Sequence, residues 1–142
     1  MADDSVRRSV SVERTAQGQF IATNARGGQI TFGTGRGTGF TPTELLLAAI
    51  GGCTAIDVDI LTSRRAEPEE FQVEAAADKV RDAIGNRLTG LEVAFRIVFP
   101  AGEDGDAARR ILPDAVEASH DRLCTVGRTV ELGTPIATRI GT

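Results

Sequence analysis

Residues 40–65 read FTPTELLLAAIGGCTAIDVDILTSRR, and the rest of the chain is interpreted around this stretch. Thr41 suits an N-cap, Pro42 suits the first helical position, and Glu44, three residues after the cap, completes a capping box. From Leu45 to Leu61 only Thr54, Asp57 and Asp59 resist full burial, so the spacing predicts a helix that is apolar around most of its circumference. Such a helix belongs in a core or a subunit interface. At about 1.5 Å per residue it spans roughly 36 Å, more than a small domain can cover alone, and a second copy of the chain is the expected cover. Leu46, Ala49, Ile50, Cys53, Ile56 and Ile60 recur at helical steps, which sets Cys53 on an apolar stripe just beyond Gly51-Gly52. Paired glycines inside a helix mark a place where another backbone or a ligand comes close.

The chain has 142 residues, 41% hydrophobic and 25% charged, with a net charge of −4, and is read as a single domain over its full length. The acidic balance gives no electrostatic reason to expect a nucleic acid or an anionic membrane as partner. MADDSVRRSV lacks the apolar core of a signal peptide, and the central helix carries two aspartates and two glycines, so the expectation is a cytoplasmic protein without a membrane span. Two cysteines in a reducing compartment leave inert packing, redox chemistry or metal binding as their roles. Neither belongs to a C-x-x-C pair, and two cysteines with the single His120 do not supply a structural zinc set. His120, four residues before Cys124, would face it across one helical turn as a base or else point to solvent.

Val6, Arg8, Val10 and Val12 alternate with Arg7, Ser9, Ser11 and Glu13 as in a half-buried strand. With Phe20-Ile21 and Ile30-Thr31-Phe32 it makes a three-stranded meander. Gly33 to Gly39 has a glycine-rich look but matches no phosphate-binding pattern and reads as a connector. After the helix, Phe71, Val73, Ala75 and Ala77 alternate with polar residues, as do Leu91, Val93, Phe95, Ile97 and Phe99, with a turn at Asp82–Arg87. Asp106–Leu112 reads as a short helix stopped by Pro113, Asp114–Leu123 as a second with Ala115, Ala118 and Leu123 inward, Thr125–Gly133 as a third, and Ile136–Ile140 as a final edge strand. The class is α+β with antiparallel sheet and one buried helix.

Thr41-Pro42-Thr43-Glu44-Leu45-Leu46-Leu47 with Gly51-Gly52-Cys53-Thr54-Ala55-Ile56-Asp57-Val58, and Leu123-Cys124-Thr125-Val126 much later, closely resemble the OsmC/Ohr family of osmotically induced and organic hydroperoxide resistance proteins. The resemblance implies an OsmC-like fold: an intertwined homodimer whose antiparallel sheets wrap around two long central helices. It implies thiol peroxidase activity towards organic hydroperoxides with no bound cofactor, Cys53 being peroxidatic and Cys124 resolving, and a lipoyl-type or other small dithiol as reductant. Peroxidatic members carry an arginine in the N-terminal meander and a glutamate directly after the proline. Here Thr43 follows Pro42 and Glu44 stands one residue later, nine residues from Cys53 or about 13–14 Å along a helix. Ala16–Gln19 has no arginine, which leaves Arg14 and Arg36 as the candidate cations and Glu44 as the candidate carboxylate. A thiol with pKa about 8.5 needs such a cation to react at neutral pH. Two other readings stand beside this one: a non-peroxidatic OsmC-like protein binding a small apolar ligand at the dimer interface, and an interaction module with purely structural cysteines.

Overall fold

The computed structural model describes residues 5–141. The chain divides into two compact units, Met1–Leu46 and Leu47–Thr142, and the fold is α+β, with two antiparallel sheets and three α-helices among the described residues.

In the first unit β1 (Val10–Ala16), β2 (Gln19–Asn24) and β3 (Gln29–Gly33) form the meander. Its register pairs Arg14 with Phe20 and Phe20 with Phe32, whose rings stack with centroids 5.9 Å apart. The second turn is built by Asn24, whose Oδ1 accepts from the N–H groups of Arg26 and Gly28, both at 2.9 Å. The first strand lies later than the alternation of Val6 to Val12 predicts, because pairing with β2 across the Gln17-Gly18 turn sets the register, and its residues are exposed rather than half-buried. The glycine-rich connector is an excursion closed at its base by the Gly33 N–H donating to the Phe40 carbonyl at 2.9 Å.

The long helix α1 runs from Pro42 to Ser63, two residues shorter at each end than the quoted stretch, so Arg64 and Arg65 lie beyond its last turn. Its start follows the sequence: the Glu44 N–H donates to Thr41 Oγ1 at 3.2 Å and the Thr41 N–H donates to Glu44 Oε1 at 2.9 Å. Burial along α1 is one-sided, as expected of a helix that its own chain is too small to cover alone. Ile50, Gly51, Thr54, Val58 and Thr62 are buried, whereas Leu46, Ile56 and Ile60 are exposed, since the chain lays elements over one side only.

In the second unit β4 (Glu70–Arg81) and β5 (Asn86–Val98) form a long hairpin, with Val73 opposite Phe95 and Ala75 opposite Val93. The turn between them is held by Asp82, which accepts from the N–H groups of Ile84 and Gly85 and from Arg87 Nε at 2.7 Å. Gly51 lies against this hairpin: a Cβ there would come within 3.3 Å of Ala75 Cβ, so the glycine is what lets the helix approach the sheet. Gly52 has open space in front of it, so only one of the two glycines marks a close approach. Next, α2 runs unbroken from Glu103 to Ala118 with Pro113 inside it. The expected stop at Pro113 does not occur; the helix forgoes one backbone hydrogen bond there and keeps Ala108 and Ala115 in the core. A π-helical turn, Ser119–Leu123, and α3 (Thr125–Glu131) follow. Leu123 points outward, against the periodic reading, and Ser119 points inward, because the wider turn rotates the residues after Ala118. Residues 134–141 form no strand; Ile136 and Ile140 are almost fully exposed, with no neighbouring strand to pair with.

Candidate functional site

Both cysteines are free thiols of the second unit. Cys53 is half-buried on α1; Cys124 is buried and sits between the π-helical turn and α3 with an extended backbone, φ −74° and ψ 98°. It is the N-cap of α3, its Sγ accepting from the Gly127 N–H at 3.2 Å. A Cβ at position 127 would lie 3.2 Å from that sulfur, so glycine there leaves the thiol its room. Burial pushes the Cys124 thiol above its ordinary value; the Gly127 N–H works against this, and the adjacent Cys53 side chain and the Asp57 charge add to it. The segments that bear the two thiols adjoin although far apart in sequence, since Ser119 meets Thr54, the neighbour of Cys53, through its hydroxyl and Cys124 through its carbonyl.

Three side chains that sequence reasoning left without a role complete this neighbourhood. Thr54 and Asp57, three residues apart on one face of α1, meet Ser119: Thr54 Oγ1 is 2.8 Å from Ser119 Oγ, and Ser119 Oγ donates to Asp57 Oδ2 at 2.8 Å. The sequence signal for two of them was present, since Thr54 and Asp57 were polar interruptions of an apolar stretch at helical spacing next to Cys53. Nothing local marks Ser119.

Beside Cys124 lies a cavity of about 530 Å³ lined mainly by Ile50, Leu91, Val93, Phe95, Val116 and Val130, with Glu92, Glu117, Glu131 and His120 also on its wall. Of the two readings of His120, the solvent-facing one holds and that of a base turned to Cys124 does not. Its Nδ1 is 2.9 Å from Asp121 and its Nε2 is 2.8 Å from Glu131, so both ring nitrogens are taken by carboxylates. Asp121 first and Glu131 second raise its pKa above the ordinary histidine value.

Glu44 holds the capping box described above. Arg14 stands exposed in β1 and Arg36 exposed in the connector, and the ion pairs among the described residues involve neither. The structure thus draws Cys53 and Cys124 together, gives Glu44 a backbone partner, and leaves both arginines facing solvent.

The family model described as OsmC-like protein matches residues 34–139. Uncharacterised proteins of Mycobacterium bovis and Mycobacterium tuberculosis are 29% identical over 126 residues, covering 88% of this chain and 90% of each relative. An OsmC-like protein of unknown function from Vibrio cholerae superposes with a TM-score of 0.72 at 13% identity, covering 89% of this chain and 95% of that one. The organic hydroperoxide resistance protein of Bacillus subtilis superposes with a TM-score of 0.57 at 15% identity, covering 87% and 90%. At such identities the likeness is one of fold.

Proposed function

Because the chain belongs to the OsmC-like protein family, we propose that it is a thiol-dependent peroxidase reducing organic hydroperoxides, with Cys53 peroxidatic and Cys124 resolving. The observation that carries this reading is that two free thiols lie on segments joined through Ser119, and that Cys124 lines a cavity walled mainly by hydrocarbon, which suits an alkyl or aryl hydroperoxide better than hydrogen peroxide. The Cys53 thiolate attacks the O–O bond, forming an S–O bond and releasing the alkoxide, which leaves as the alcohol once protonated. The Cys124 thiolate then attacks the Cys53 sulfur; the S–O bond breaks, an S–S bond forms and water departs. A small dithiol of lipoyl type restores both thiols by exchange and is itself oxidised to the disulfide. The raised pKa of Cys124 keeps that thiol protonated until it is needed, so the resolving step accelerates as pH rises. No bound cofactor takes part in this scheme.

For the cation that activates Cys53 the candidates are Arg36 and Arg14, with Glu44 the candidate carboxylate to orient it; Arg36→Gln and Arg14→Gln separate the first two. The exposed face of α1, with Ile56 at 62% and Ile60 at 51% exposure, supports an intertwined homodimer in which a second copy covers it. The proposed setting is the cytoplasm, and the acidic balance gives no electrostatic reason for a nucleic acid or anionic membrane partner.

The decisive assay follows consumption of cumene hydroperoxide with dihydrolipoamide. Cys53→Ser should lose at least about 100-fold in rate, and Cys124→Ser should stop after one turnover as a trappable sulfenic acid. Equal rates for wild type and Cys53→Ser would overturn the reading. One observation favours a second reading, non-peroxidatic binding of a small apolar ligand. The cavity wall carries Glu92, Glu117 and Glu131 but no lysine or arginine among the described residues. Wild type that consumes no hydroperoxide but binds a fluorescent apolar probe, displaced on Phe95→Glu substitution, would favour it.

A further inference from the structure

The scheme above leaves Ser119 without a part, although it is fully buried at the first position of the π-helical turn. Its hydroxyl donates to Asp57 Oδ2, so the Thr54 hydroxyl is the donor in the other contact, and both bonds are 2.8 Å long. Thr54 directly follows Cys53 and Asp57 lies one helical turn beyond it, so the serine grips α1 at the level of the first thiol. Its main-chain carbonyl meanwhile accepts from the Cys124 N–H at 2.8 Å, the wide hydrogen bond that defines the turn. One residue is thus tied through its side chain to the segment bearing Cys53 and through its backbone to Cys124.

Apolar contacts would hold this turn against α1 without fixing its rotation. A hydroxyl chain ending on a carboxylate is directional and charge-assisted, and the surrounding burial strengthens it. In a plain α-helical continuation the Ser119 carbonyl would bond the N–H of Leu123 instead, and Cys124 would be rotated away by about 100°. We propose that Ser119, anchored by Asp57 and Thr54, is a positioning residue that holds Cys124 in disulfide-forming register with Cys53. This rests on the reading of the two cysteines as a redox pair.

The test uses the full-length protein in glutathione redox buffers, with the Cys53–Cys124 disulfide measured by intact mass after alkylation. One oxidised glutathione takes two hydrogens from the protein thiols and leaves as two reduced glutathiones. Ser119→Ala should lower the disulfide equilibrium constant by about tenfold, and Asp57→Asn, which keeps an acceptor oxygen but loses the charge, by less. Ser119→Thr should recover most of the wild-type value. Thr62→Ala is the control: Thr62 is equally buried on α1 but donates only to the Val58 carbonyl at 2.8 Å, so its loss should lower the melting temperature and leave the disulfide equilibrium unchanged. A wild-type equilibrium in Ser119→Ala, or equal losses in Ser119→Ala and Thr62→Ala, would overturn the proposal. So would failure of the wild type to form the disulfide; and should Ser119→Ala not fold, a wild-type value in Asp57→Asn overturns it. Wild type that forms the disulfide yet consumes no hydroperoxide refutes the peroxidase reading and leaves the clamp standing.

Discussion

The two faces of α1 are composed contrary to simple hydropathy. The buried face carries Thr54, Thr62 and Gly51 along with Ile50 and Val58, while Ile56 and Ile60 stand on the exposed face. The inner threonines are spent on specific hydrogen bonds, Thr54 to Ser119 and Thr62 to the carbonyl of Val58, and the inner glycine on close approach to Ala75. The outer isoleucines touch nothing of that kind. A face packed by its own chain tolerates polar atoms because each finds a partner within it, and among the described residues no buried side-chain polar atom lacks one. In the proposed homodimer the outer face is the one that a second copy covers, and such a face gains most from plain hydrocarbon.

The comparison breaks most visibly with a carboxylate on each face. Val58→Asp buries a charge without a partner and should cost more than about 4 kcal/mol, abolishing the cooperative melt. Ile56→Asp should leave the chain folded but shift its mass in light scattering from that of a dimer to that of the 15.0 kDa monomer. A dimer unaffected by Ile56→Asp would mean that the outer face is not the interface. The glycines give a smaller contrast. Gly51→Ala, pressed against Ala75, should lose about 1–3 kcal/mol in a denaturant melt, whereas Gly52→Ala, opening on free space, should gain about 0.5–1 kcal/mol. A loss at Gly52 would show that the partner's backbone approaches there.

Glu44→Gln tests the one end of α1 where side chain and backbone satisfy each other. It should lower stability by less than about 1 kcal/mol and leave the hydroperoxide rate within about twofold, since the amide still caps. A normal melt with a rate loss beyond about tenfold would assign Glu44 to thiol activation instead. The smallest effect concerns the outer side of the turn whose inner side is Ser119. His120 has its pKa raised by Asp121 and Glu131, so what it contributes is fully present below the unfolded value of about 6.5 and is lost as pH rises through the higher folded value. The melting-temperature difference between wild type and His120→Gln should therefore be greatest near pH 5.5 and shrink on the alkaline side. A difference that grows with pH would reverse the assignment.

Most of the scaffold was legible because its signals are local. The Thr41–Glu44 capping box, the alternation along β4 and β5 and the Asp82–Arg87 turn depend on residues a few positions apart, and each formed where the pattern put it. Pro113 misled because a helix docked through Ala108 and Ala115 withstands one missing hydrogen bond, and the C-terminal alternation misled because a strand needs a neighbour to pair with. The apolar ring of α1 and the resemblance carried by its cysteine motif came from sequence alone, since composition and spacing are properties of the chain. Which side of α1 the chain covers, that His120 turns to carboxylates rather than to Cys124, and that Ser119 joins the two thiol-bearing segments were decided only in the tertiary structure. Those outcomes depend on directional bonds between residues distant in sequence, whose geometry exists only once α2 and its π-helical turn have packed on α1.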